Sequence, residues 1–286
     1  MIPQYSNQLM SSLMLWLNNT LLVKGQAFTN TSSRFYPIGQ TISGYYTYAA
    51  PYNQFVADMS VPGANIMTGV YLDNSFIQTG QSGFFDINYE KGHIYFTNPI
   101  TGSNRLSGSY AVKDYNIHLT SEPEEKILFE TKMSIRPKVG NTPTGLYSNQ
   151  ITYPAIFVKK NDGHNEPLAF GGLDNTITNV TLMIFADSAG LLDATTSLLE
   201  DRVRTFIPLL SVNEMPYNIF GGFKTSPFNY TGVSVNKISS DSGAFITRVG
   251  TSKFNQRQFQ DIKELNPEIH FSLVDITIEK PRYPRL

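Results

Sequence analysis

Apolar residues are frequent between Ile177 and Leu210, and their spacing changes once within that stretch. Val180, Leu182, Ile184 and Ala186 alternate with Met183 and Phe185, so both strand parities are apolar. That pattern predicts a central strand over 177–186, covered on each face. From Leu191 the spacing turns helical. Leu191, Leu192, Leu198, Leu199, Val203, Phe206 and Ile207 fall on one side, and Asp193, Ser197, Glu200 and Arg204 on the other. Asp187 and Ser188 can accept bonds from the first-turn amides, and Pro208 lacks the amide proton a helix needs, so a helix is predicted over 188–207. Glu200 and Arg204 are spaced for an i,i+4 ion pair. Arg202 falls inside the apolar stripe. Either it snorkels from the stripe's edge, or this helix face packs on another subunit.

The same reading organises the rest. Residues 7–23 form an uncharged helical pattern, with Leu9, Met10, Leu13, Met14, Trp16, Leu17 and Leu21 on one side and Ser11, Ser12, Asn18 and Asn19 opposite. That helix docks either on its own core or on a neighbouring chain. Gln26 to Pro62 is irregular and aromatic, which predicts short strands and loops. Ile66 to Leu119 reads as successive hairpins, with turns at Asp73-Asn74 and Lys91-Gly92, forming a compact sheet or small barrel. A short helix is predicted after Ser121, and residues 134–150 have the composition of a linker. A second hairpin is predicted with Asn161-Asp162-Gly163 at its turn. Residues 211–243 form a Pro-, Gly- and Asn-rich excursion, expected to be functional or held by a partner. A strand is predicted over Ala244–Val249 and a short helix over Phe259–Leu265. In the last strand, 268–280, the apolar parity switches, which implies a bulge or a change of cover near Leu273. The predicted fold class is α+β. An N-terminal helix and β-rich region (1–150) precede a mixed sheet packed on one long amphipathic helix (151–286).

Composition narrows the function. Net charge is −1 and charged residues are only 16%, against roughly 25% in an average soluble protein. Neither nucleic acid nor an anionic membrane is indicated as a partner. With no cysteine, disulfide scaffolds, thiol nucleophiles and thiolate metal sites are excluded. The N-terminal apolar run, Leu13 to Leu17, is too short for a signal segment, so folding in cytoplasm is expected. The four histidines, His93, His118, His164 and His270, stand apart in sequence, and no catalytic or phosphate-binding motif is present. The expectation is therefore a protein without catalytic residues, cofactor or metal. Its contact residues would be Arg202, Glu200, Arg204 and Trp16, joined by the excursion's Phe220, Phe223, Phe228 and Tyr230. The 16 Tyr and 19 Phe suit such contact surfaces. A carbohydrate-binding module built on Tyr45, Tyr46, Tyr48 and Tyr52 is the alternative from another class.

Two stretches carry a resemblance. GVYLDNSFIQTGQSGFFDINYEKGHIYF is similar to small β-domains of tailed-bacteriophage neck, tail and baseplate proteins. VTLMIFADSAGLLDATTSLLEDRVRTFIPLL resembles the strand-then-helix core of head–tail joining and tail-completion proteins. The resemblance implies a virion structural subunit, assembled in the host cytoplasm. Its partners would be its own copies in a ring and adjacent proteins of the neck, tail or baseplate. A baseplate or fibre-attachment adaptor is the nearest variant. The portion up to about Gln150 exceeds what a minimal tail-completion protein carries.

Overall fold

The computed structural model describes residues 4–42, 44–100, 105–122, 134–135, 150–151, 153–169, 171–224, 227–253 and 269–283. The chain opens with helix α1 (Tyr5–Val23). Strands β1 (Phe28–Arg34), β2 (Tyr36–Ile42), β3 (Tyr45–Ala49), β4 (Gly69–Leu72), β5 (Ser75–Gln78), β6 (Phe84–Asn88), β7 (His93–Phe96), β8 (Leu106–Lys113) and β9 (Asn116–Thr120) follow. After the short pair β10 (Ser134–Ile135) and β11 (Gln150–Ile151) come β12 (Ala155–Ala169), β13 (Leu173–Ala186) and helix α2 (Ala189–Glu200). The chain then forms β14 (Phe206–Pro208), helix α3 (Tyr230–Ser239), β15 (Gly243–Lys253) and β16 (His270–Arg282). The α+β class holds, and the protein is strand-rich.

Two four-stranded antiparallel sheets, in the orders β1-β8-β4-β5 and β2-β3-β7-β6, enclose one aromatic core. The chain passes from one sheet to the other at buried Phe35, between β1 and β2. Phe55 packs on Tyr110 at 4.0 Å between ring centroids, and the Tyr110 hydroxyl meets Ser33 Oγ at 2.6 Å. Both expected turns are present. Asp73 and Asn74 take φ of +48° and +69° in the two-residue β4–β5 turn, and Gly92 takes +66° before β7.

The third sheet has the order β14-β15-β16-β13-β12-β9, antiparallel except between β12 and β9. Strand β13 is central and buried continuously from Val180 to Ala186. Val180, Leu182 and Ile184 face the main core with α1 and α2, while Met183 and Phe185 join Phe157, Phe271 and Tyr153 on the opposite face. The two cores do not follow a division at residue 150. Helix α1 lies in the main core with the third sheet, and β9 is that sheet's margin.

Several expectations are corrected. Helix α2 stops at Glu200, not at residue 207. Arg204 enters the left-handed region at φ +63°, and Phe206–Pro208 becomes an edge strand paired with Gly243–Phe245. Helix α2 is therefore not the long helix expected over 188–207, and Pro208 sits on an edge, where its missing amide is tolerated. The Ser188 cap is present, its Oγ accepting from the Leu191 amide at 3.3 Å. Asn161-Asp162-Gly163 is not a turn. It lies inside the fifteen-residue β12 beside a bulge, and the chain reverses at Gly171 and Gly172, with φ of +104° and +87°. Ser12 is fully buried, its hydroxyl accepting from the Leu210 amide at 3.0 Å. The parity switch in β16 is a change of cover, because its register with β13 is unbroken. Phe271 and Leu273 face the aromatic patch, and Val274, Ile276 and Ile278 face the main core. The helices expected after Ser121 and over Phe259–Leu265, and nearly all of the expected linker, lie outside the described residues.

Candidate assembly surface

Both margins of the six-stranded sheet are partly open. Strand β9 pairs only with Ala155–Lys159 of β12. Beyond it, Lys160 to Ala169 is exposed and, among the described residues, is paired on the β13 side alone. With the start of β13 and the end of β16, it forms an arm that extends past the core. At the other margin β14 pairs only with Gly243–Phe245. Arg204 and Thr205 continue that cover as far as Ile246 through backbone bonds of 2.7 and 2.9 Å. A bulge then places Thr247 off register, and its hydroxyl donates to Glu279 Oε1 at 2.8 Å. From Arg248 to Lys253, β15 is paired only with β16 among the described residues.

Side chains tie the arm to its neighbours at several levels. On its outer face Asn179 Nδ2 donates to Asp162 Oδ1 at 2.8 Å, and Thr277 Oγ1 donates to Asn179 Oδ1 at 3.1 Å. Asn161 Nδ2 donates to Thr181 Oγ1 at 2.8 Å, and Thr181 in turn donates to Asp275. On the inner face Lys160 Nζ reaches Ser6 Oγ at 2.7 Å, and the Arg282 guanidinium lies 4.5 Å from the centre of the Tyr5 ring. Burial pushes the Tyr5 phenol up to about 12, against the pull of Arg282. These cross-strand bonds hold the polar strands of the arm in one register.

The proposed contact residues fall in three places. Glu200, Arg202 and Arg204 cluster at the end of α2, beside the open β15 margin. Arg202 Nε donates to the Leu198 carbonyl at 3.2 Å, so it closes the helix end and does not project from an apolar stripe. Glu200 accepts from Thr251 Oγ1, and Arg204 has left the helix, so the i,i+4 geometry is absent. Trp16, Phe228 and Tyr230 are 4%, 8% and 4% exposed and belong to the main core of their own chain. Phe220 and Phe223 lie in the 211–229 loop. Phe220 packs against Tyr45, Phe85 and Tyr95, and Phe223 lies 4.7 Å from Tyr89. Among the described residues of the excursion, these aromatics therefore pack against their own chain. The loop is pinned by Asn218, which donates to Asp86 Oδ2 at 2.7 Å and accepts from the amides of Phe220 and Gly222. Its tip, Ile219, is 94% exposed.

Between α1, the two-sheet unit and this loop lies a cleft of about 500 Å³. Lys113 Nζ donates to Asn18 Oδ1 at 2.9 Å, and Tyr115 donates to the same oxygen at 3.0 Å. Burial brings the Lys113 amine down to about 8, although Glu90 and Asp58 pull it back up. Asp58, itself buried, accepts from Asn19, Ser60 and the Tyr230 amide. Sequence reading missed Asp58, Lys113 and Asn218. The available signal was weak: single polar residues at the ends of apolar runs. Among the described residues, no three His, Asp or Glu side chains converge as metal ligands. No helix among them is long and apolar enough to cross a membrane. The chain matches no protein-family model and no curated protein sequence.

Proposed function

We propose that the protein is a structural subunit of a tailed-phage particle, joining its own copies in a ring of the neck or tail against adjacent virion proteins. The observation that carries this reading is the six-stranded sheet, which among the described residues has an open stretch of strand at each margin. A row of unpaired backbone amides and carbonyls recruits another strand unless something covers it. Two different open margins on one subunit favour a head-to-tail contact, and such contacts make rings when the rotation closes. Further support comes from the 211–229 loop, which offers Ile219 as an apolar tip to a stacked neighbour. The two stretches that resemble phage proteins form β4 to β7 and the run from mid-β13 through β14. The tyrosines of the carbohydrate alternative are engaged elsewhere. Tyr48 and Tyr52 are buried, and Tyr45 stacks on Phe85 at 4.1 Å.

Light scattering of the full chain across a concentration series tests the reading, together with immunogold labelling of particles that carry it. A discrete oligomer and label at the neck or tail are expected. A strict monomer at high concentration, with no label on particles, refutes it.

A further inference from the structure

We propose that the Lys160–Ala169 arm of one subunit adds as a strand to the Arg248–Lys253 margin of the next copy, making one continuous sheet around the assembly. This rests on the ring reading above and names its contact. Arg248–Lys253 presents roughly 20 Å of edge at strand rise, and the ten-residue arm is long enough to cover it. The charges are opposite. Lys160–Ala169 holds Asp162 and Glu166 against one cation, Lys160, which is turned inward to Ser6, while Arg248–Lys253 holds Arg248 and Lys253 and no acid. Arg204, bonded to Ile246 through its backbone, adds a third cation beside that margin. The acids nearest the margin are already engaged, Glu200 with Thr251 and Asp275 with Thr181.

Those charges also select the symmetry. Arm against arm brings acid beside acid, and margin against margin, antiparallel by the two-fold, sets Arg248 beside Lys253, so both two-fold contacts are disfavoured. Only the heterologous contact pairs unlike charges. Backbone bonds would supply the affinity of the added strand, and the charged side chains its direction and choice of partner. The cross-strand bonds described above keep the arm extended before it docks, so little ordering is left to the docking step.

Charge reversal tests the contact in the full chain. Glu166 meets only His164, at 3.3 Å, and both are exposed, so Glu166→Arg leaves the fold intact. Arg248 is likewise exposed. Glu166→Arg and Arg248→Glu should each weaken self-association at least about ten-fold, and the double variant should regain most of the loss. Circular dichroism should be unchanged throughout. The cysteine-free chain permits a second measurement. Mixed under oxidation, His164→Cys and Ser252→Cys variants should give a disulfide dimer containing one of each. Rings that form normally with either reversal alone, or disulfides only between identical variants, overturn the arm–margin contact and leave the ring reading standing. A wild type that stays monomeric overturns both.

Discussion

Asp58 is the residue whose loss should loosen the molecule most for its size. It is 6% exposed, and its two oxygens hold three segments together. Oδ2 accepts from Asn19 Nδ2 of α1 at 2.8 Å. Oδ1 accepts from the Ser60 amide at 2.9 Å, the Ser60 hydroxyl at 2.7 Å and the Tyr230 amide at 3.0 Å. Beside it, the Met59 amide donates to the Phe228 carbonyl at 2.7 Å, so the α3 entry docks on this loop. Asp58→Ala strands all four donors. A bond to a charged group contributes about 1.5–3 kcal/mol net, but the four are coupled and do not add. Asn19 and Ser60 are partly exposed and can turn to water, whereas the Tyr230 amide is buried. The expected loss is therefore about 3–5 kcal/mol. For 286 residues the unfolding entropy near Tm is about 0.6 kcal/mol per degree, so Tm should fall by about 5–8 °C. Asp58→Asn keeps the shape but turns an amide toward a donor, and should lose about half as much. Urea and thermal unfolding of both variants, beside an exposed Leu168→Ala control, measure the difference. An Asp58→Ala protein within about 1 kcal/mol of wild type would refute the hub.

Burial holds Lys113 at about 8, so between about pH 8 and the ordinary lysine range the unfolded chain binds more protons than the folded one. Stability should therefore rise with pH up to about 10, by at most about 3 kcal/mol, and Lys113→Met should flatten the rise in urea titrations run at each pH. His93 acts in the same sense at lower pH. Burial, with Lys91 nearby, holds its ring at about 4, so stability present above 6.5 is lost toward pH 4. Because the ring is partly solvated the loss is about 1–2 kcal/mol, and His93→Gln should abolish this part of the acid limb. At Gly92 the φ of +66° and a Cβ 2.2 Å from the Tyr52 carbonyl oxygen leave no room for a side chain. Gly92→Ala should cost about 3 kcal/mol or more by chemical denaturation.

Where burial follows period, the sequence was readable. The doubly apolar run Val180–Ala186 is the central strand, and the Asp73-Asn74 and Lys91-Gly92 turns sit where their residues demand left-handed backbone. Two failures share a physical origin: local pattern overruled by pairing with another strand. Phe206 and Ile207 keep helical spacing with Leu199, yet they pair with Phe245 and Ala244, and the chain leaves the helix through a left-handed Arg204. Asn161-Asp162-Gly163 has turn chemistry, yet 2.8 Å bonds from Asn161 to Thr181 and from Asn179 to Asp162 hold it in β12. The loop aromatics at 220–230 have no period because they pack against residues distant in sequence, Phe220 on Tyr45 and Phe85, Phe223 on Tyr89, and Phe228 and Tyr230 in the main core. Period-based reading left them for a partner to bury.

The open margins could not be read from hydrophobic period, and the reason lies in what alternation encodes. Hydrophobic period reports which face of a strand is covered, because faces differ in the side chains they carry. Edges differ only in whether backbone groups have partners, and every residue of a strand offers the same amide and carbonyl. Whether Arg248 lies at an edge is decided by where β14 ends, at Pro208, and by whether Arg204 and Thr205 reach past Ile246. Whether Glu166 lies at an edge is decided by β9 ending at Thr120. The one trace left in sequence is a run of polar, charged and proline residues from Asn161 to Pro167, where a covered strand would be apolar. Such residues are also what proteins use to discourage strand pairing at an edge. Sequence therefore marks the edge without saying whether it is defended or used, and two oppositely charged margins on one sheet are the structural reason to test it as used.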